Sequence, residues 1–367
     1  MNPSFWHALQ QTIQRKLDDA VATGKETGCQ FAVFADGRLV VDACAGATGN
    51  ADNARVDSRT LFPVFSAGKG VVTTAFLRLV ERGLVGLDQR VGEIWPAFAC
   101  NGKEETTVRH ILRHRSGVCT RTPYDHIEQI ADWDTMCARV ASSRPDFPPG
   151  RATRYQTINF TWLLGELAQR VAGKPLPRII EEEVYEPAGL RNIFFGVPDR
   201  DLPRIARLTR GPDLPPVPDR PPCWDYSLET IMNHRAIQQA CLPGFNCVTN
   251  AIDLARHYAC LLDSEAEARL LKRETVREAC VMTLAPDDPR PDAPGCWGTF
   301  GLGYAVSHPD AAMVGSRFGH GGYGGASGQA FQPERLACAF TCNQMHGQAS
   351  LRAALEARLS EAFRGMI

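Results

Sequence analysis

The chain has 367 residues, which is enough for a large hydrophobic core and close to the length at which a second lobe forms. Hydrophobic residues make up 44% and charged residues 22% of the composition, as in globular proteins, and no apolar run approaches the roughly 18 residues that a membrane-spanning helix needs. The formal net charge of −1, with basic residues spread along the chain, argues against a nucleic-acid partner and against binding to a membrane surface.

The N-terminal segment is predicted to be part of the folded structure and not a secretion signal. It has no basic start, apolar stretch or small-residue cleavage site, and the spacing of Ile13, Leu17 and Val21 predicts a helix over residues 11–21. Thirteen cysteines without such a signal are typical of reduced thiols that serve as small apolar filler. We therefore expect a cytoplasmic protein.

Residues 30–41 predict a β-hairpin. Two apolar runs flank the dipeptide Asp36-Gly37, which favours a tight turn. Residues 61–65 form a second apolar run, interrupted by Pro63, and predict a buried segment that leads into Ser66.

Ser66 and Lys69 are three residues apart at the start of a predicted helix, residues 70–82, which Gly83 should end. Residues at this spacing lie one above the other on a helix, so the Lys69 amine should reach the Ser66 hydroxyl. Burial and the positive end of the helix dipole both disfavour a charged lysine there. A neutral lysine is a base, and a serine beside a base is a nucleophile.

The stretch from about residue 65 to 192 is mainly helical in pattern. Tyr155 stands on a predicted loop before a strong helix over residues 160–171 that ends at Gly173, where its side chain could point into a cleft. Asn159 precedes the same helix and is predicted to be its N-cap.

Two proline-rich segments, 203–222 and 286–294, predict long loops. Helices are predicted between them at 251–262 and 265–271. Strands are then predicted at 301–306, 327–331 and 336–342, before a closing helix at 351–363.

The segment 318–325 contains five glycines around His320 and Tyr323. Such a density of glycine lets another backbone, or a substrate, lie against a strand, and its backbone N–H groups can donate to an oxyanion.

Strands near both ends with helices between them predict an α/β (α+β) fold. We expect an antiparallel sheet built from both termini and flanked by helices, with an inserted, mainly helical lobe. The predicted single domain, 1–367, has an α/β lobe of residues 1–62 and 290–367 and a helical lobe of residues 63–289.

The three motifs, in this order, resemble the serine hydrolases of the β-lactamase and penicillin-binding-protein (transpeptidase) fold, above all class C β-lactamases and family VIII esterases. The family pattern S-x-x-K, Y-x-N and K-T-G or H-x-G is present as Ser66 to Lys69, Tyr155 to Thr157 and His320 to Gly322. Residues 108–118 look like the family's R-H-L-L-x-H-x-S-G segment, and the resemblance spans roughly residues 28–346.

This resemblance implies acyl transfer through a covalent intermediate on Ser66. Lys69 and Tyr155 would share the proton transfers, and either could be the general base. The backbone N–H groups of Ser66 and Tyr323 would form the oxyanion hole. The residues expected to bind substrate are Thr157, His320, Gly321, Gly322 and Trp224. Four aromatic side chains are candidates for the walls of the pocket, namely those of Trp133, Trp224, Trp297 and Tyr323.

Two positions depart from the family pattern. Thr157 stands where the family has asparagine; its hydroxyl can accept from Lys69 but supplies one donor instead of two. This weakens the case for β-lactam or peptidoglycan chemistry and leaves ester cleavage intact. His320 stands where many relatives have lysine, and we expect it to be partly charged near neutrality and to bind the Tyr155 oxygen or a substrate carboxylate.

The sequence thus favours a carboxylesterase-like hydrolase of a small-molecule ester. An acyltransferase that passes the same acyl group to an amine or alcohol acceptor is the alternative. A β-lactamase or D-amino peptidase, or a non-catalytic binding protein, is less favoured. No cofactor or metal is expected: His110 and His114 have the spacing of a zinc helix, but Ile111 occupies the position of its catalytic glutamate.

Overall fold

A computed structural model of the chain describes residues 3–214, 226–264, 268–288, 299–307 and 317–364. Within these ranges the helices are α1 (Pro3–Ala22), α2 (Lys69–Glu81), α3 (Val91–Ile94), α4 (Val108–Leu112), α5 (Trp133–Ser142), α6 (Asn159–Ala172), α7 (Leu176–Ile180), α8 (Glu186–Ala188), α9 (Leu228–Asn233), α10 (Arg235–Gln239), α11 (Ala251–Ala259), α12 (Arg273–Ala279) and α13 (Ser350–Arg364). The strands are β1 (Gly28–Ala35), β2 (Arg38–Gly46), β3 (Phe62–Phe65), β4 (Ile193–Phe194), β5 (Thr209–Arg210), β6 (Cys247–Thr249), β7 (Thr299–Phe300), β8 (Ala305–Ser307), β9 (Arg317–Gly321), β10 (Ser327–Phe331), β11 (Leu336–Cys342) and β12 (Gln344–Met345).

Seven of the strands form one antiparallel sheet in the order β2-β1-β11-β10-β9-β8-β7. The hairpin β1–β2 turns at Asp36-Gly37, as predicted, and Phe31 of β1 lies opposite Phe340 of β11. Strands from the two ends of the chain therefore lie side by side. This arrangement confirms the predicted α/β class and the antiparallel sheet built from both termini.

Helices cover both faces of this sheet. On one face, Phe31 packs in a core with Ile13 of α1 and Leu355 of α13. On the other face, Phe34 belongs to the larger core that contains α11 and the helices of the central stretch. Because both faces are covered, every residue of β1 is buried even though successive side chains point to opposite faces.

Gln30 shows how tightly strand β1 is tied to the rest of the chain. Its amide nitrogen donates to the carbonyl oxygens of Asp57 and Thr60, and its amide oxygen accepts from Ala251 N and Thr341 Oγ1. The side chain is 2% exposed, so these four bonds satisfy a polar group that would otherwise be costly to bury.

A small antiparallel sheet, β3-β6-β4, brings three distant segments together next to the large sheet. In it Phe65 pairs with Cys247. Helix α11 follows β6 at once, with the Asn250 side chain accepting from Asp253 N at 2.9 Å as an N-cap. Although α11 lies within the central stretch of the chain, it packs on β1, β10 and β11.

Most predicted elements are present, with shifted ends. Helix α1 includes the predicted residues 11–21, and α6 ends at Gly173 in a left-handed conformation, φ 62°, as expected. The helix predicted at 265–271 is wrong in its described part, because residues 268–271 form no helix and bury Leu270 and Leu271 in an irregular segment. The helix forms just afterwards, as α12. In the described part of the first proline-rich segment, the short strand β5 pairs in parallel with β12.

The described ranges contain eleven cysteines, and all of them are free thiols, most of them buried. Burial raises the pKa of such thiols, as for Cys260, whose pKa is raised to about 11. Among the described helices, none is both long and apolar enough to span a membrane.

Candidate active site

Ser66 follows strand β3 in a single 3₁₀ turn, Ser66–Gly68, that leads directly into α2. Phe65, the last residue of the strand, has φ 49°, a left-handed value that is costly for a bulky side chain. Gly68 is required by close packing, because a Cβ there would lie 2.3 Å from the Cβ of Cys247. The turn that carries Ser66 is therefore held in one conformation by its surroundings.

Lys69 extends from the first turn of α2 to Ser66. Its Nζ lies 3.0 Å from Ser66 Oγ, at hydrogen-bonding distance, and donates to the carbonyl oxygen of Gly244 in a shorter hydrogen bond. The residue is 0% exposed, and no described carboxylate forms an ion pair with it. Burial therefore lowers the pKa of Lys69 well below its ordinary value and favours the neutral amine.

Tyr155 lies on the loop before α6 and faces Lys69, whose Nζ is 5.1 Å from the centre of the phenol ring. The phenolic oxygen is buried without a hydrogen bond of standard geometry to a described residue. Burial raises the pKa of Tyr155, and the nearby Ser66 hydroxyl opposes part of that rise. The phenol therefore keeps its proton near neutral pH. The structure brings Ser66, Lys69 and Tyr155 together, as the sequence motifs predict.

His320, on β9, lies beside this group, with its ring centre 5.9 Å from that of Tyr155. Burial and the nearby Lys69 lower the pKa of His320 to about 3, so the imidazole is neutral near pH 7 and the expected partial charge is wrong. Its Nδ1 lies 2.6 Å from the carbonyl oxygen of Gly321 and must donate to it, because a carbonyl only accepts. Nε2 is then an acceptor, buried and without a described partner.

The glycines after His320 have different roles. The carbonyl of Gly321 accepts from His320, and a Cβ on Gly321 would make ordinary contacts, at 3.6 Å with the end of the Arg352 side chain and at 4.0 Å with the carbonyl oxygen of Ala326. A Cβ on Gly322 would lie 2.1 Å from the carbonyl oxygen of Val64 and 3.4 Å from Ala67 N. The absence of a side chain at Gly322 thus lets this end of β9 lie against the turn that carries Ser66.

Tyr323 follows at once and begins a 3₁₀ turn. Neither its backbone N–H nor that of Ser66 donates to a residue that the structure describes. Two free N–H groups on adjacent segments, beside a nucleophile, are the arrangement that an oxyanion hole requires. The two predicted donors therefore lie where they could form an oxyanion hole.

Thr157 is not placed where the motif suggests. It is exposed, has φ 45°, and makes no side-chain hydrogen bond within the described ranges. The oxygen that accepts from Lys69 is that of Gly244 instead. Thr157 therefore does not supply the acceptor for Lys69 that its position in the motif predicted.

We expect the substitution Thr157→Asn, which restores the family's residue, to have little effect on activity. Position 157 is exposed, and asparagine tolerates a left-handed φ better than the β-branched threonine, so stability should be unchanged or rise by less than about 1 kcal/mol. The measurement is kcat/KM for a p-nitrophenyl ester together with Tm. A tenfold or larger change in kcat/KM would show that position 157 contacts Lys69 or the substrate.

The prediction that Asn159 caps α6 is wrong. Asn159 is the first residue of the helix, Ile158 precedes it without a side-chain cap, and the buried Asn159 amide binds the segment at residues 118–122. Its oxygen accepts from Thr122 N and Oγ1. The residue thus ties a neighbouring loop to the helix that follows Tyr155.

Aromatic side chains border Ser66 on the side of the oxyanion turn. The Phe65 ring packs edge-on against Tyr323, at 5.9 Å between centres, and against Phe245, at 6.4 Å. Tyr323 is 46% exposed, so part of its side chain faces solvent. Trp224 and Trp297 lie outside the described residues. Trp133 packs against α6 and donates to Glu166 at 2.8 Å, which makes it a packing residue and not a wall of this site.

The sequence motifs indicate no role in the site for Gly244 or for His114. His114 accepts from Gln156 N through Nδ1, and its carbonyl accepts from Arg154 N, so it holds the backbone on both sides of Tyr155. Its ring also packs edge-on against Tyr155, at 4.9 Å between centres. No motif signalled this contact, because nothing in the sequence shows that residues 114 and 155 are neighbours.

Within the described ranges, no cluster of three or more His, Cys, Asp or Glu side chains is arranged to hold a metal ion.

Comparison with known proteins gives a consistent result. A sequence model of the Beta-lactamase family matches residues 13–363. The chain is 34% identical over 191 residues to the protein named Esterase/beta-lactamase LipL of Mycobacterium tuberculosis, an alignment that covers 51% of this chain and 43% of the relative. It is 26% identical over 234 residues to Esterase EstB of Burkholderia gladioli, covering 57% of this chain and 59% of the relative.

Among solved structures, a family VIII carboxylesterase superimposes with a TM-score of 0.80 at 27% identity, over 95% of this chain and 97% of the other. The matches to LipL and EstB, by contrast, span less than two thirds of those proteins.

Proposed function

Because the chain belongs to the beta-lactamase family, we propose that it is a serine hydrolase that forms an acyl-enzyme on Ser66 and cleaves a small-molecule carboxylic ester. One observation carries the proposal. The Lys69 amine is fully buried, has no described carboxylate partner and lies 3.0 Å from Ser66 Oγ. A lysine in this state is a base in contact with a nucleophile.

In the acylation step, the Lys69 amine takes the proton of Ser66 as Oγ attacks the ester carbonyl. The negative charge that develops on the carbonyl oxygen is stabilised by the N–H groups of Ser66 and Tyr323. The C–O bond to the alcohol then breaks, and the proton held on Lys69 passes, directly or through the phenol of Tyr155, to the leaving oxygen. Water attacks the acyl-enzyme by the same sequence in reverse and releases the acid.

The pKa directions favour Lys69 as the base. Burial lowers the pKa of Lys69, so its reactive form is populated near neutrality, whereas burial raises the pKa of Tyr155 and keeps the phenol protonated. Tyr155 is then suited to donate and relay a proton rather than to abstract one. These directions support Lys69 as the base and Tyr155 as the relay, two roles that the sequence leaves open.

The charges of the site favour a neutral ester over a carboxylate-bearing substrate. His320 is neutral, and Thr157, on the exposed side of the loop, adds no amide to hold an acyl-side amide group. The side chains described next to Ser66 carry no charge: the Phe65 ring packs against those of Phe245 and Tyr323. The likeness to LipL and EstB, both named as esterases, and to the family VIII carboxylesterase structure supports an ester substrate.

The test is the intact mass of the protein after brief mixing with short-chain p-nitrophenyl esters, with release of p-nitrophenol followed in parallel. We expect an acyl adduct on wild type and on Ser142→Ala, an exposed serine of α5 that serves as the matched control, and none on Ser66→Ala. Peptide mapping should place the adduct on Ser66.

The lifetime of the adduct decides between hydrolysis and transfer. An adduct that clears in water supports the esterase. An adduct that persists until an alcohol or amine is added would replace hydrolysis by acyl transfer. An adduct retained in Ser66→Ala, or no adduct and no release from any ester of the series, would overturn the proposal.

A further inference from the structure

Gly244 holds the oxygen that orients Lys69. Its carbonyl oxygen accepts from Lys69 Nζ and lies 3.4 Å from Ser66 Oγ, within reach of both groups. Apart from the Ser66 hydroxyl, it is the only described acceptor bonded to this nitrogen. A neutral amine has two N–H donors and one lone pair, so an N–H engaged by this carbonyl leaves the second N–H and the lone pair for the two remaining directions, one of which faces Ser66 Oγ.

The position of this carbonyl is set by a short loop between α10 and β6. The loop is wedged against the start of α6, because a Cβ on Gly244 would lie 2.8 Å from Thr161 Oγ1 and 3.1 Å from Thr161 N. Within the loop, the N–H groups of Gly244, Phe245 and Asn246 all donate to the carbonyl oxygen of Leu242. The backbone therefore folds back on itself with the Gly244 carbonyl near its apex.

The side chain of Asn246 closes this loop. Its oxygen accepts from Leu242 N at 3.1 Å, and its nitrogen donates to the carbonyl oxygens of Ile237 and, at 2.8 Å, Ala240. The residue is 1% exposed, and both amide N–H groups and the amide oxygen are engaged. The next residue, Cys247, pairs with Phe65 beside the nucleophile. One buried amide thus links α10, the Gly244 loop and the strand next to Ser66.

We propose that Asn246 is a positioning residue of the active site, which fixes the Gly244 carbonyl and through it the position of the Lys69 amine beside Ser66. The inference rests on the proposed role of Lys69 as base. In the family pattern the asparagine of Y-x-N supports the lysine. Thr157 stands at that position here, and the supporting asparagine is instead Asn246, in a loop that the motifs do not include.

The test compares Asn246→Ala with a matched control, Asn233→Ala. Asn233 also clamps backbone with its amide, through Leu208 N and the Leu208 carbonyl oxygen, and makes no described contact with Ser66 or Lys69. Both variants lose hydrogen bonds that clamp backbone, so Tm should fall in both, and further in Asn246→Ala, whose amide is more buried and makes more bonds. Only Asn246→Ala should lower kcat for a p-nitrophenyl ester, by about 10- to 100-fold with KM changed less than about threefold, because a misplaced base weakens the chemical step.

A second readout does not depend on turnover. The chain contains six lysines, so the titration of Lys69 can be followed by NMR of protein labelled at lysine Cε, with Lys69→Met assigning the signal. Removing the fixed carbonyl withdraws an acceptor that stabilises the ammonium. We therefore expect the pKa of Lys69 to fall by about half a unit or more in Asn246→Ala and to be unchanged in Asn233→Ala.

If Asn246→Ala does not fold, Asn246→Asp takes its place, since it keeps the shape and the acceptor and loses both N–H donors. It should lower kcat by at least about tenfold and also move the Lys69 titration. A Lys69 titration that coincides with wild type, or a loss of kcat no larger than that of Asn233→Ala, would overturn the proposal. Failure of the proposed function can be told apart from failure of this inference. In that case wild type itself would turn over no ester, while the Lys69 titration could still be measured.

Discussion

Replacing Lys69 by methionine is expected to lower kcat/KM for a p-nitrophenyl ester by about 10⁴-fold, the upper range for loss of a general base. Methionine has a similar length and fits a site that is 0% exposed, so the side chain can be accommodated without a charge. Tm should be close to that of wild type, since the substitution removes a buried amine while leaving the packing of α2. A loss smaller than about tenfold would remove Lys69 from the role of base.

The pH dependence follows from the same residue. The reactive form of Lys69 is the neutral amine, so kcat/KM should rise with pH through the lowered pKa of Lys69 and then level off. No falling limb is expected near neutrality, because the pKa of Tyr155 is raised and the pKa of His320 is already down to about 3. In Lys69→Met the rise of kcat/KM with pH should disappear. A bell centred near pH 7, retained in that variant, would contradict this assignment.

The second large effect is expected from Gly322→Ala. A Cβ at this position would lie 2.1 Å from the carbonyl oxygen of Val64, a backbone atom that cannot rotate away. Either β9 or the turn after β3 must move, which separates the N–H of Tyr323 from that of Ser66. A displacement of this size at the reacting centre costs on the order of 100-fold in kcat, and loss of one oxyanion donor costs about the same or more.

The neighbouring glycine provides the comparison. In Gly321→Ala the new Cβ would lie 3.6 Å from the end of the Arg352 side chain and 4.0 Å from the carbonyl oxygen of Ala326, which are ordinary contacts, so the loss of kcat should stay below about tenfold. Circular dichroism and Tm of both variants establish that each is folded. Equal losses in the two variants would show that the glycines are needed for a shared reason, such as substrate passing over both, and not for the close approach at Gly322.

The sequence was sufficient to predict the features that depend on local residue patterns and on the order of motifs along the chain. Alternation around Asp36-Gly37 located the hairpin, and the three-residue spacing of Ser66 and Lys69 at a helix start placed the amine against the hydroxyl, as the 3.0 Å distance shows. Strand patterns at both ends, with helices between, were enough for the fold class. These features depend on periodicity and on neighbouring residues, which a linear sequence displays directly.

Contacts between distant segments could not be predicted in the same way. The Gly244 carbonyl meets Lys69 across 175 positions, and no residue type marks a backbone oxygen as an acceptor. The expected charge of His320 failed for a related reason, because its pKa depends on how completely the fold buries the ring beside Lys69. Thr157 was expected at Lys69 from its place in the motif, but a left-handed backbone leaves it exposed.

The pairing of β1 with β11 has a consequence for how the protein reaches its native state. Cys29 lies opposite Cys342, so strand β1, which lies between β2 and β11, cannot complete its hydrogen bonds until almost the whole chain is available. Closing so long a loop is entropically unfavourable, and proteins dominated by such contacts fold slowly. During that interval an apolar strand has an unpaired edge, which is prone to aggregation. Refolding yield should therefore fall steeply with protein concentration, and the buried amide of Gln30, satisfied only by three separate segments, should be among the last groups to be protected from hydrogen exchange.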